Sequence, residues 1–242
     1  MDKKNLKLMC YVGGIFTVAF YLIFLLISWF LFPNPASPLD HWLSDLGRYQ
    51  VPADGGLVWR WIGGEWKLYK ELAIPSIMNP GAIFYNLACI LTGISMFLFF
   101  TGILAYIDKE DNNSKLLTYA LMLIGYLGGL FLILVGIFAE DGIFLLMINE
   151  DISYNFHHLF SMIVFILLIG IKVLSGLWAW KQGLNRLVAI FAWVVVIFDI
   201  IVVVTGNNIA WVEWTSVLLS LATIGIVTVA LMLKDNILPF KK

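Results

Sequence analysis

Charge is scarce in this chain. Asp, Glu, Lys and Arg make up 13% of its 242 residues, where a soluble globular domain carries about 25%. A basic excess is missing too. Fifteen Lys and Arg stand against 16 Asp and Glu, so no basic face is available for nucleic acid. Cysteine is nearly absent. Cys10 and Cys89 both fall inside apolar stretches, which excludes a disulfide framework and a thiolate metal site and leaves two small buried hydrophobes. The chain has no P-loop and no dinucleotide fingerprint. It lacks the repeated intramembrane charges of a voltage sensor and the paired broken helices of a secondary transporter. No internal repeat or low-complexity tract is visible, and Ser44 sits in no nucleophile elbow.

What is abundant is apolar. Hydrophobic residues reach 61% and aromatics 15%, with 10 Trp, and mean hydropathy is +0.92. A hydrocarbon core of about 30 Å needs roughly 20 apolar residues in a helix. Six stretches meet that length: 8–32, 82–107, 116–138, 156–180, 187–205 and 214–233. The first follows Lys3, Lys4 and Lys7 like a signal peptide, but it runs well past the roughly 7–15 residues of a signal core and reads as a retained span. The fold class is therefore all-α: a polytopic transmembrane bundle of six helices in one domain, 1–242, with a long external loop, 33–80, between the first two.

Lys and Arg set the expected orientation. They occur at the N-terminus, at Lys109 and Lys115 in the second connection, and at Lys181 and Arg186 in the fourth. Lys234, Lys241 and Lys242 follow the last span, and the third and fifth connections have none. This alternation places both termini on the cytoplasmic side of a multi-pass cell-membrane protein. The first connection breaks it with Arg48, Arg60, Lys67 and Lys70, and long external loops cross largely regardless of charge. Within that loop, Gly63-Gly64 between Leu57–Ile62 and Glu65–Tyr69 reads as a β-hairpin, the alternatives being an irregular loop or an interfacial helix. In hairpin register Trp61 faces Trp66 and Trp59 faces Leu68. Arg60 then faces Lys67, which is unfavourable unless acids or headgroups lie nearby.

Polar residues gather on the outer side of this topology. All three histidines, His41, His157 and His158, fall there, with Ser44, Asp45, Asn79, Asn86, Glu140, Asp141 and Glu213. Three readings of this cluster stay open. One is a divalent metal such as zinc, held by His41, His158 and Glu140, with Asp45 as the alternative acid, because imidazole and carboxylate plus a water make a hydrolytic centre. His157 and His158 are neighbours, about 100° apart on a helix, so only one of them would join. The second is metal-free acid/base chemistry or headgroup binding, with His41, Ser44, Asp45, Glu140, His157 and His158 as reactive candidates and Asn79, Asn86, Asp141 and Glu213 as ligand contacts. The third is structural: acids suit helix N-termini, a sufficient reason for Glu213 and Asp151. Inside the fifth span, Asp199 must be paired, protonated or turned to a cavity. Lys172 lies at similar depth as a partner, and a proton relay is the other reading. Gly125, Gly128 and Gly129 form a small-residue seam for close helix packing, as do Gly13 and Gly14.

Several runs recur in an ordered set: Leu43-Ser44-Asp45-Leu46-Gly47, the segment Asn79-Pro80-Gly81 through Asn86, Gly136 through Asp141, His157-His158-Leu159-Phe160-Ser161, and Glu213. In order and spacing, over roughly 8–230, the set resembles the prokaryotic membrane family known as domain of unknown function 998. It is also similar to the eukaryotic frag-like and autophagy-modulator membrane proteins. The stretch 51–75 stands out as an insertion, Ala139 replaces a Pro, and Trp214 a basic residue. The resemblance implies six helices and an outward polar cluster but no activity. Three functions follow as expectations: lipid binding or handling at the outer leaflet, a metal-dependent intramembrane lipid hydrolase, or a non-catalytic subunit that packs against partner subunits along a small-residue face such as that of Gly125 and Gly129.

Overall fold

The computed structural model describes residues 1–108, 110–141, 145–149, 152–206 and 209–238. Lys109, Asp151, Lys241 and Lys242, used in the sequence reading, lie outside them. Six helices are long and apolar enough to cross a membrane: α1 Lys3–Leu31, α2 Ala82–Gly102 with a tight turn continuing to Tyr106, α3 Asn112–Ile137, α4 Phe156–Lys181, α5 Arg186–Thr205 and α6 Ala210–Lys234. The chain is thus a polytopic helical membrane protein. α1 starts earlier than its apolar run because Asp2 accepts from the Asn5 amide at 2.7 Å and caps it. Asp111, Asn155 and Asn185 cap α3, α4 and α5 in the same way. Each helix packs on the next, and α6 returns to α1, so the bundle closes on itself. The start of α1 and the end of α6 lie at one end of the bundle, where Lys7 pairs with Asp235 at 2.6 Å.

Small residues set the spacing. A Cβ at Gly13 would stand 2.3 Å from the Phe99 amide nitrogen, and one at Gly14 1.9 Å from the Thr228 hydroxyl. Gly129 meets the Gly93 carbonyl, and Gly125 meets the Phe100 ring. These glycines let helices approach to backbone contact. The Gly125 and Gly129 face is therefore spent on α2 inside the bundle. It is not an outward stripe for a partner subunit, because Phe100 and Gly93 already fill it.

The connection from α1 to α2 is folded, not slack. After a helical turn, Leu43–Gly47, come β1 Gln50–Pro52, β2 Trp59–Ile62, β3 Glu65–Leu68 and β4 Ser76–Met78. β2 and β3 form the expected hairpin, with Trp61 opposite Trp66 and Arg60 opposite Lys67. Gly63 and Gly64 both take positive φ, 65° and 89°, as a tight two-residue turn requires. The like-charge pair is relieved because Arg60 turns to Asp54 at 2.7 Å. β1 pairs antiparallel with β4 and closes the loop at its base. Leu43, Leu46, Val51, Val58 and Tyr69 are fully buried and share a core with Tyr21, Tyr85 and Trp214 of the helices. A second core at the other end joins Cys10, Phe99, Phe100, Trp178 and Leu231. Between α3 and α4 a third antiparallel pair, β5 Leu145–Asn149 and β6 Ile152–Asn155, leads into α4.

Candidate functional site

The polar residues do converge at the loop end of the bundle, and most of them hold the loop. Asn79 donates to the carbonyls of Leu46 and Arg48 at 3.1 and 2.8 Å and accepts from Gly81. Asn86 donates to the Gly47 carbonyl. Asp141 accepts from the amides of Tyr49 and Gln50 at 2.9 and 2.7 Å. These three side chains satisfy backbone groups that would otherwise be orphaned on leaving water. Each thus braces the loop, and Asn86 Oδ1 is left without a hydrogen-bond partner among the described residues.

At the centre lies Arg48, buried with its guanidinium between two carboxylates. Its Nε reaches Asp45 at 3.3 Å and its terminal nitrogen pairs with Glu140. His158 Nε2 meets the same Glu140 oxygen at 3.1 Å. Burial alone would raise the Glu140 pKa, but Arg48, then His158 and His157, hold it down to about 2. Asp45 moves the other way. Burial, then the charge of Glu140, push its carboxyl well above the usual range against the opposing pull of Arg48. One cation thus serves two acids, and Glu140 holds the charge. From the sequence Arg48 is only a loop charge. Its spacing of three from Asp45 was the available signal.

The histidines separate. His157 is buried, and its Nδ1 lies 2.9 Å from the Phe138 carbonyl. A carbonyl only accepts, so Nδ1 carries the proton and Nε2 offers a lone pair. Among the described residues, His157 Nε2 and Glu140 Oε2 have no hydrogen-bond partner. His41 lies elsewhere, edge-on to Phe32 at 5.5 Å, with both ring nitrogens unpartnered. Burial lowers its pKa, against the pull of Asp40. The set His41, His158 and Glu140 is therefore not assembled, because the ring of His41 is enclosed by the loop core. No three His, Cys, Asp or Glu side chains among the described residues come together to hold a metal ion.

Beside this cluster lies a cavity of about 710 Å³, within the range of small-molecule sites. Its roof is Trp42, Ser44, Trp59 and Trp66 of the loop. Glu140 and His158 stand at its rim, and Glu213 with Ser216 on α6 forms one wall. Glu213 accepts from the Leu43 amide at 2.8 Å and faces the Ser44 hydroxyl, which locks α6 to the loop. From His158 to Ile169 the α4 wall covers about 16 Å at 1.5 Å per residue, roughly half a hydrocarbon core. Met162, Ile166 and Val203 line the cavity yet are exposed, so it opens sideways between the loop-end halves of α4 and α5. At its floor, Asp199 of α5 pairs with Lys172 of α4. The Ser216 hydroxyl donates to Asp199, and Lys172 donates to Ser220, each at 2.8 Å. The expected ion pair is present. The sequence offers Trp59 and Trp66 as an aromatic hairpin face able to cap the bundle, but it gives no sign of Trp42 or Ser216, because a concave surface shared by three helices and a loop leaves no periodic signature.

The family described as "Protein of unknown function (DUF998)" matches residues 71–230. That range takes in α2 to α5 and most of α6 and leaves out α1 and the hairpin. No curated protein and no solved structure matches the chain.

Proposed function

The chain belongs to the family described as protein of unknown function (DUF998), and from that premise we propose that it binds a single membrane lipid, drawn sideways from the bilayer into the cavity between α4, α5 and α6. The carrying observation is the form of that cavity: polar at the loop end, apolar along α4, and open on the lipid-facing side at Met162, Ile166 and Val203. A lipid presents that sequence of chemistries, a wet head and a dry tail. The aromatic loop suits the membrane interface, where indole rings bridge water and hydrocarbon. The loop end is the outer one in this reading. Lys3, Lys4 and Lys7, with Lys115, Lys181, Arg186 and Lys234, mark the opposite end as cytoplasmic.

The test is native mass spectrometry of detergent-purified protein beside an Ile169→Trp variant. Ile169 lines the cavity away from Arg48 and Glu140, so an indole there blocks the tail without breaking the buried pair. Wild type should retain about one lipid per chain, and the variant should lose it while staying monodisperse. Equal retention by a folded Ile169→Trp variant would sink the reading.

A further inference from the structure

We propose that the head end of this cavity selects an amphiphile with a primary ammonium group. The inference deepens the lipid-binding reading and rests on it. Of the ionisable side chains that line the cavity, Glu140, Asp199 and Glu213 are acids, His157 and His158 are imidazoles, and none is Lys or Arg. A phosphate or sulfate head would find no cation on these walls. Arg48 is 3% exposed and committed to Asp45 and Glu140, and Lys172 is 1% exposed and committed to Asp199. Glu213 has no cationic partner among the described residues.

The buried side-chain atoms of the cavity lining that lack a hydrogen-bond partner are all acceptors. Glu140 Oε2 belongs to a side chain only 2% exposed, and His157 Nε2 to a residue 2% exposed. Both line the cavity, and both are acceptors without a donor among the described residues. Buried acceptors are rarely left empty, and a ligand that completes them must donate. A primary ammonium brings three N–H donors and a positive charge. Trp42 and Trp66 roof the same space beside Trp59, whose ring already carries the Arg48 guanidinium at 5.5 Å, and the indole face attracts cations more than any other aromatic ring. Acid walls, open acceptors and an indole roof point to the same headgroup by independent physics.

The experiment uses the full-length protein in nanodiscs, with empty nanodiscs subtracted, and three probes of one chain length: hexadecylamine, hexadecanol and hexadecyl phosphate. The amine should bind at least about tenfold more tightly than the phosphate. Glu213→Gln should weaken the amine about tenfold and leave the alcohol within about twofold. Trp66→Phe, which keeps an aromatic ring opposite Trp61 in the hairpin, should weaken the amine alone. If the three probes bind alike, or the phosphate binds best, the headgroup assignment is overturned while the cavity stands, provided Ile169→Trp blocks all three. If no probe binds, or if Ile169→Trp leaves every probe bound as in wild type, the lipid-binding reading itself falls.

Discussion

Arg48, in the turn after α1, pairs with Glu140 at the end of α3, and the two side chains are 3% and 2% exposed. The contact spans 92 residues of sequence and ties the folded loop to the third helix. Removing one partner of a buried pair leaves an uncompensated charge, which costs about 3–5 kcal/mol. Glu140→Ala should therefore lower stability by about that amount in denaturant unfolding of the purified protein. Arg48→Lys should also be poorly tolerated, because one ammonium cannot reproduce the fork that reaches Asp45 and Glu140 together. A variant at either position as stable as wild type would show that the pair is not intact in the membrane.

Acid should act in two steps with different owners. The first belongs to His41, whose pKa is lowered by burial from its ordinary 6.5. The fold disfavours the protonated ring, so stability falls as pH drops below about 6.5, and His41→Phe should shrink that step. The second belongs to Glu140, depressed from 4.5 to about 2. Its contribution is complete above about pH 4.5 and is lost as pH falls towards about 2. Asp45, with a raised pKa, has the opposite sign and costs stability as pH rises above its ordinary 3.8. Unfolding midpoints against pH for wild type, His41→Phe, Glu140→Gln and Asp45→Asn check the three signs one by one.

The pair Lys172 and Asp199 lies inside the bundle, at 1% and 5% exposure, and each partner also bonds a serine of α6. Lys172→Met alone strands a carboxylate at membrane depth, and Asp199→Leu alone strands an ammonium. Each should cost about 3–5 kcal/mol, whereas the double variant should recover most of the loss. A double-mutant cycle in detergent reads the coupling. Additive single effects would mean that the two charges do not meet.

Sequence patterns reached the parts of the molecule that rest on local physics. Six spans were legible because hydrocarbon thickness fixes helix length. The hairpin register followed from Gly63-Gly64, and Lys172 with Asp199 from matched depth on antiparallel helices. The site was legible as a place but not in its roles. Asn79, Asn86 and Asp141 bond backbone groups of the loop, and a backbone partner leaves no mark in sequence. His41 and Glu140 belong to one polar cluster by topology, yet the loop folds the His41 ring against Phe32 and away from Glu140. Arg48 looked like a solvent charge because nothing local says that a loop is buried.

The closest helix approach carries a prediction of its own. A Cβ at Gly102 would lie 2.2 Å from the Cys10 amide nitrogen, and one at Gly13 2.3 Å from that of Phe99. These atoms are backbone, so no rotamer change relieves the overlap, and α1 and α2 must move apart. Gly13→Ala and Gly102→Ala should each cost about 1–3 kcal/mol, the usual range for overpacking a tight interface. Gly225→Ala is the control, since its Cβ would meet only the Val18 methyl at 3.3 Å, a contact that a small side-chain shift absorbs. Thermal unfolding of the three variants should rank Gly225→Ala near wild type and the other two well below it. All three should retain the proposed lipid as wild type does, because Gly13 and Gly102 lie towards the end of the bundle that holds Lys7 and Asp235. Loss of lipid on Gly102→Ala at unchanged oligomeric state would mean that the α1–α2 seam controls the cavity from a distance.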